Sequence, residues 1–253
     1  MPNPETRTRR LLILGGTGEA RALAEGAAAA YPGRLDVVSS LAGRLSKPPV
    51  LPGSVRVGGF GGAAGLARYL SEESIDMVVD ATHPFAQVIS ANAAQACQDA
   101  GVVRLVLARA ASQRPEGLRW IEADDLAHAA RLLPAPARRV FLAVGRLGLA
   151  AFSGLENTWF LVRLVEAPED PLPFSNYTVV TGRPPESQEE ERKLLSTQAI
   201  DAMVIKDSGG GEAKIAAARK LDVTVVAVRR PAPPPGESRA KVDEVLAWIE
   251  ARL

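Results

Sequence analysis

Short apolar runs punctuate this chain, and most are followed by an alanine-rich stretch of helical length. The runs at 11–14, 35–39, 55–57, 77–80, 103–107, 119–122, 140–144, 159–165, 177–181, 203–206 and 223–228 carry the β-branched residues that favour strands. Between them, 20–30, 63–70, 85–100, 124–133, 186–196 and 212–221 have helical periodicity, and 239–253 closes the chain with one more helix. Strand and helix alternating in this way predict an α/β fold built on mainly parallel sheets. Pairs such as Val78–Val79 and Val225–Val226 leave no polar face, which predicts helices covering both sides of each sheet.

Two stretches resemble each other. Ile75 to Asp80, a Pro-containing turn, a helix and the run ending at Arg109 can be laid over Ile200 to Asp207, a Gly-rich turn, a helix and the run ending at Arg229. The repeat predicts two Rossmann-like domains with a ligand cleft between them. The Pro-rich stretch Leu133–Pro136 is the expected connection, giving domains 1–137 and 138–253, and Pro231–Gly236 reads as a stiff spacer before the last helix.

Composition narrows the class. A chain of 253 residues can bury roughly 70–75% of its extended surface. With 47% hydrophobic residues and 30 basic against 29 acidic ones, it is neither a disordered chain nor a polybasic nucleic-acid binder. The single Cys97 excludes an internal disulfide and a thiolate metal site, which predicts a reducing, cytoplasmic setting. No resident metal is expected. The first apolar run stops at Gly15 and Gly16, too short for a signal core or a membrane span, so neither export nor a membrane partner is expected.

The first strand, turn and helix hold the clearest candidate site. Gly15, Gly16, Thr17, Gly18 and Glu19 form a glycine turn entering a helix, where free amides and the positive end of the helix dipole favour a pyrophosphate. Gly16 and Gly18 match the first two glycines of the dinucleotide motif, whereas Arg21 stands at the third. The second strand ends on Ser39 and Ser40 and runs on to Arg44, with no carboxylate at its tip. Hydroxyls and a guanidinium suit a 2′-phosphate, which predicts NADPH rather than NADH.

Ligands of open parallel sheets lie beyond the carboxyl ends of the strands, so the other turns matter too. After 77–80 come Thr82, expected to cap a helix that Pro84 begins, and His83 at the ligand edge. Glycine turns with cations follow 140–144, at Arg146, and 203–206, at Lys206, Asp207, Ser208, Gly209 and Lys214. Arg163, Arg183 and Arg229 add positive charge near strand ends, and a cluster of this kind on a nearly neutral chain predicts an anionic ligand. The sequence has no Tyr-x-x-x-Lys pair, Gly-x-Ser-x-Gly elbow or Gly-Lys-Ser/Thr loop. The same glycine turn would also serve a non-catalytic NADP-sensing module, or a methyltransferase, since adenosylmethionine also binds glycine turns.

Five segments together resemble the precorrin-6A reductase family of cobalamin biosynthesis: Leu14 to Arg21, Asp80 to Ala86, Val140 to Arg146, Gly182 to Pro185, and Lys206 to Gly210. They span almost the whole chain in order. The resemblance implies an oxidoreductase acting on a CH–CH group, with NADPH as cofactor and a polycarboxylate tetrapyrrole as substrate. It would turn precorrin-6A, or its cobalt-containing form, into the dihydro product precorrin-6B. It implies substrate carboxylates held by Arg146, Arg183, Lys206 and Lys214, with Ser208 and Gly209 in the same turn, and handover contacts with neighbouring pathway enzymes. Thr82 joins the cofactor residues. The proton donor is open between His83, Asp207 and solvent.

Overall fold

A computed structural model of the chain describes residues 7–43, 49–134, 137–184 and 187–253. The strands are β1 (Arg9–Leu14), β2 (Leu35–Leu41), β3 (Ser54–Val57), β4 (Met77–Asp80), β5 (Val103–Leu107), β6 (Trp120–Ala123), β7 (Arg139–Ala143), β8 (Trp159–Leu164), β9 (Tyr177–Thr181), β10 (Ala202–Lys206), β11 (Thr224–Val228) and β12 (Glu237–Arg239). The helices are α1 (Gly18–Ala30), α2 (Gly62–Glu72), α3 (Gln87–Ala100), α4 (Leu126–Arg131), α5 (Gln188–Thr197), α6 (Glu212–Lys220) and α7 (Val242–Glu250), with a 3-10 helix over Arg146–Phe152. The fold is α/β, with two Rossmann-like parallel sheets.

The strand orders are β12-β5-β4-β1-β2-β3 and β6-β11-β10-β7-β8-β9, and neighbouring strands in both sheets pair in parallel. The repeat seen in the sequence is therefore topological: β10, α6 and β11 occupy in the second sheet the places of β4, α3 and β5 in the first. The sixth strands are exchanged. After β5 the chain contributes β6 to the second sheet, and after β11 it returns to place β12 beside β5.

That exchange corrects the expected division at 137/138. One compact unit runs to Ala110 and resumes at Pro231–Leu253; the other is Ala111–Arg230. The physical reason is long-range hydrogen bonding, which local patterning does not encode. β6 pairs with β11, and α7 packs Val245, Trp248 and Ile249 into the apolar cluster beneath α1. The chain passes between units at Ala110–Ala111 and at Arg230–Pro231, not at Leu133–Pro134; Ala135 and Pro136 lie outside the described residues. Pro231–Gly236 leads into β12 rather than directly into a helix.

In the first unit the continuous strands are buried on two sides. Leu11, Ile13, Val37, Met77 and Val79 face α1 and α7, whereas Leu12, Leu14, Val38 and Val78 face α2 and α3. Cys97 on α3 is buried there, and burial pushes its thiol up to about 11. In the second unit, Phe141, Leu161, Met203 and Val225 form the cluster with Ile215 and Ala218 of α6. Hydroxyl and carboxylate caps start α1, α4 and α5: Thr17 accepts from the Ala20 amide, Asp125 from His128 and Ser187 from Glu190. Among the described residues, no helix is long and apolar enough to cross a membrane.

Candidate active site

Because all strands of the first sheet run the same way, the turns after β1, β2 and β4 line up along one edge. The turn after β1 is anchored at both ends. The Gly15 amide donates to Ser40 O at 2.9 Å, and the Thr17 hydroxyl donates to Ala81 O at 2.8 Å while capping α1. Between these anchors Gly16 adopts φ +112°, a conformation that L side chains rarely adopt, and the space where side chains of Gly16 and Gly18 would stand is open. The amides of Gly16, Thr17 and Gly18 donate to no acceptor among the described residues. The turn is thus a shallow cradle of unspent N–H donors at a helix start, the chemistry a pyrophosphate requires.

Glu19 lies in the first turn of α1, and its carboxylate pairs with Arg109, just beyond β5, at 2.9 Å. Ser39 and Ser40 are both buried. The Ser39 hydroxyl is enclosed and lacks a partner among the described residues, while Ser40 Oγ lies 3.4 Å from Arg56 Nη1. Arg44 lies outside the described residues.

The turn after β4 departs from expectation. Thr82 does not cap α3, and Pro84 does not begin it: the helix starts at Gln87, behind Ala86, with no side-chain cap. The Thr82 hydroxyl instead donates to Asp80 Oδ1 at 2.7 Å and meets Ser90 Oγ at 3.2 Å. The hydroxyl proton thus goes to a buried carboxylate in a charge-assisted bond, and the oxygen sits against the Ser90 hydroxyl rather than against a helix amide. Asp80 Oδ1 also accepts from the Thr82 amide, and Oδ2 is buried without a partner among the described residues. His83 is exposed, its Nδ1 accepting from the Phe85 amide at 3.3 Å, which assigns the neutral ring's proton to Nε2.

In the second unit the turns after β7, β9, β10 and β11 share one edge. Arg146 opens the 3-10 helix, exposed, and reaches Ala167 O at 3.4 Å. Arg183 is exposed after β9, and no ion pair holds it among the described residues; Pro185 lies outside them. After β10, Gly209, Gly210 and Gly211 take φ values of +71°, +76° and +76°, so the chain turns left-handed for three residues before α6. A side chain at Gly211 would strike Lys214 Nζ at 2.3 Å, so the ammonium folds back over the glycine turn that also holds Lys206 and Ser208. Asp207 Oδ1 accepts the Ser112 amide at 2.9 Å, and its carbonyl accepts Arg230 Nε.

Two expected ligand-edge cations are already spent. Arg163 is buried in a bidentate pair with Glu191, at 2.5 and 3.1 Å, and Arg229 pairs with Asp124 at 2.9 Å and Glu122 at 3.6 Å. Their partners come from remote segments, so sequence position alone could not show the pairing. Conversely, reading the strand ends missed Arg56 and Arg109. Arg109 stands two residues beyond β5, and applying the same rule to every strand would have found it.

The chain matches the family model described as Precorrin-6x reductase CbiJ/CobK over residues 10–250. It is 46% identical to the precorrin-6A reductase of Rhodococcus erythropolis, over 95% of this chain and 97% of the relative. A solved structure titled CobK precorrin-6A reductase superposes with a TM-score of 0.91 at 41% identity, covering 96% of each chain. The cobalt-precorrin-6A reductase of Synechocystis is 27% identical over 95% of this chain and 96% of the relative.

Proposed function

Because the chain belongs to the precorrin-6x reductase family and is a reductase of cobalamin biosynthesis, we propose that it uses NADPH to reduce metal-free precorrin-6A to precorrin-6B. The observation that carries the cofactor assignment is the Gly15–Glu19 turn, whose open amides and side-chain-free surface fit a pyrophosphate. A reductase family leaves the methyltransferase and the non-catalytic sensing module without support. The metal-free substrate follows the names of the relatives above 40% identity, against the cobalt-precorrin enzyme at 27%. A cytoplasmic setting belongs to the same proposal.

NADPH, when bound, supplies the hydride. The chain's own residues bind and orient. Gly16, Thr17, Gly18 and Glu19 offer amides to the pyrophosphate, with Arg109 offsetting the Glu19 carboxylate beside it. Ser40 lies at the strand tip that meets the 2′-phosphate, with the Ser39 hydroxyl enclosed behind it; Arg44, the guanidinium expected there from the sequence, lies outside the described residues. Thr82, tied to Asp80, shapes the β4 turn. Arg146, Arg183, Lys206 and Lys214, with Ser208 and Gly209, take the acetate and propionate arms, since several fixed cations hold a polycarboxylate in one orientation. The second hydrogen arrives as a proton. His83 is the donor this geometry favours, because it is exposed and carries its proton on Nε2, whereas Asp207 is occupied as an acceptor.

The test is anaerobic incubation with NADPH and precorrin-6A, with the cobalt form in a parallel arm. The expected result is nicotinamide oxidation with a two-hydrogen mass gain, fastest on the metal-free ring. No mass gain refutes the activity, and faster turnover of the cobalt form refutes the choice of substrate.

A further inference from the structure

We propose that Arg56 discriminates NADPH from NADH by pairing its guanidinium with the 2′-phosphate at the end of β2. This rests on the reading of the first unit as the nucleotide-binding one. Ser40 and Arg56 are direct partners across β2 and β3, so their side chains share a face of the sheet, and Nη1 stands 3.4 Å from Ser40 Oγ. In parallel nucleotide-binding sheets the tip of the second strand meets the adenosine ribose, and an acidic residue there selects the free hydroxyl. The described residues at this tip, Ser39 to Gly43, include no acid.

Two properties of Arg56 suit it to that role. Its guanidinium is already fixed: Nη1 donates to Gly58 O and Nη2 to Gly59 O, each at 2.6 Å, and the group stacks 3.7 Å from the Phe60 ring centre. Its charge is also uncompensated. Arg7, Arg9, Arg10, Arg21 and Arg109 each pair with an aspartate or glutamate, whereas Arg56, like Arg34, Arg68 and Arg104, has no ion pair among the described residues; of these four it is Arg56 whose guanidinium lies against Ser40, where it meets carbonyls, a hydroxyl and aromatic rings. A half-buried cation among neutral dipoles has lost hydration without gaining a counter-ion. A 2′-phosphate supplies that counter-ion, and the planar guanidinium meets it with little further loss of rotamer freedom. The 2′-hydroxyl of NADH offers no such charge.

The experiment measures dissociation constants for NADPH and NADH by nucleotide fluorescence on the full chain, using wild type, Arg56→Ala and Arg56→Lys, with thermal melting as a check on folding. The expected result is a rise of roughly tenfold to hundredfold in the NADPH constant for Arg56→Ala, the range for losing a hydrogen bond to a charged group, with NADH within about twofold. Arg56→Lys, which keeps the charge and loses the plane, falls between and serves alone if the alanine variant does not fold. Equal weakening of both nucleotides would make Arg56 a brace for the Gly58–Gly59 turn and overturn the proposal, as would no change in either. A wild-type chain that binds neither nucleotide overturns the nucleotide reading itself, and this proposal with it.

Discussion

Glu191→Ala should be among the most damaging single changes in the second unit. Side-chain exposure is 8% for Arg163 and 1% for Glu191, and two hydrogen bonds join them. The Arg163 guanidinium also lies 4.9 Å from the Phe141 ring centre, so the charge is enclosed by apolar surface as well as by its partner. Removing the carboxylate leaves a cation that can neither rehydrate nor give up its proton, and such a change costs about 3–5 kcal/mol. For a chain of this size each kcal/mol lowers the midpoint by roughly 2–4 °C, so the expected loss is about 6–20 °C. Calorimetry with urea unfolding followed by circular dichroism is the assay, because two units need not melt together and each transition must be resolved. The paired variant Arg163→Met with Glu191→Leu removes both charges and should recover most of the loss. A single variant within 1 kcal/mol of wild type, or a paired variant as unstable as the single one, would refute the account. Because Arg163 is spent on Glu191, the paired variant should also leave the substrate KM unchanged.

Cys97, with its thiol pushed up to about 11 by burial, should resist alkylation at pH 8 in the native protein and react only on unfolding; rapid stoichiometric labelling of the folded chain would contradict this. Asp76 titrates below the usual carboxylate range: burial alone would raise it, but the Arg10 amide, Arg7 and Arg9 together outweigh that. Since its folded value is depressed, its stabilisation is present above about pH 4 and fades as pH falls through the folded value. Asp76→Asn should therefore flatten the acid limb of stability against pH, and an unchanged limb in urea titrations would count against the interaction. Gly16→Ala should cost about 1–3 kcal/mol from its φ of +112° and weaken NADPH binding, whereas full affinity by fluorescence titration would remove the turn from the site.

Local physics made much of the molecule legible in advance. Eleven strands and seven helices follow from apolar runs and alanine-rich spacing, because a strand buried on both faces and a helix packed on a sheet each impose a period on their own residues. The Gly15–Glu19 turn was readable for a similar reason: a positive φ and an open approach both call for glycine at fixed positions in the chain. Strand β12 was not readable. Glu237–Arg239 is short and polar, and it is a strand only because β5 offers it an edge.

The same distinction separates the candidate residues. Strand ends mark where Arg146, Arg183 and Lys206 fall, but position in the chain says nothing about who neutralises a charge. Glu191 is 28 residues from Arg163 and Glu122 is far from Arg229 in sequence, yet the fold brings each carboxylate to its arginine and takes both cations out of the ligand-binding set. Arg56 is the reverse case, an unremarked residue of an edge strand that parallel register sets beside Ser40, with no ion pair among the described residues. Element type and the loop's backbone needs are properties of neighbours along the chain. Strand exchange and charge pairing depend on contacts between distant segments, which exist only once the sheets have formed.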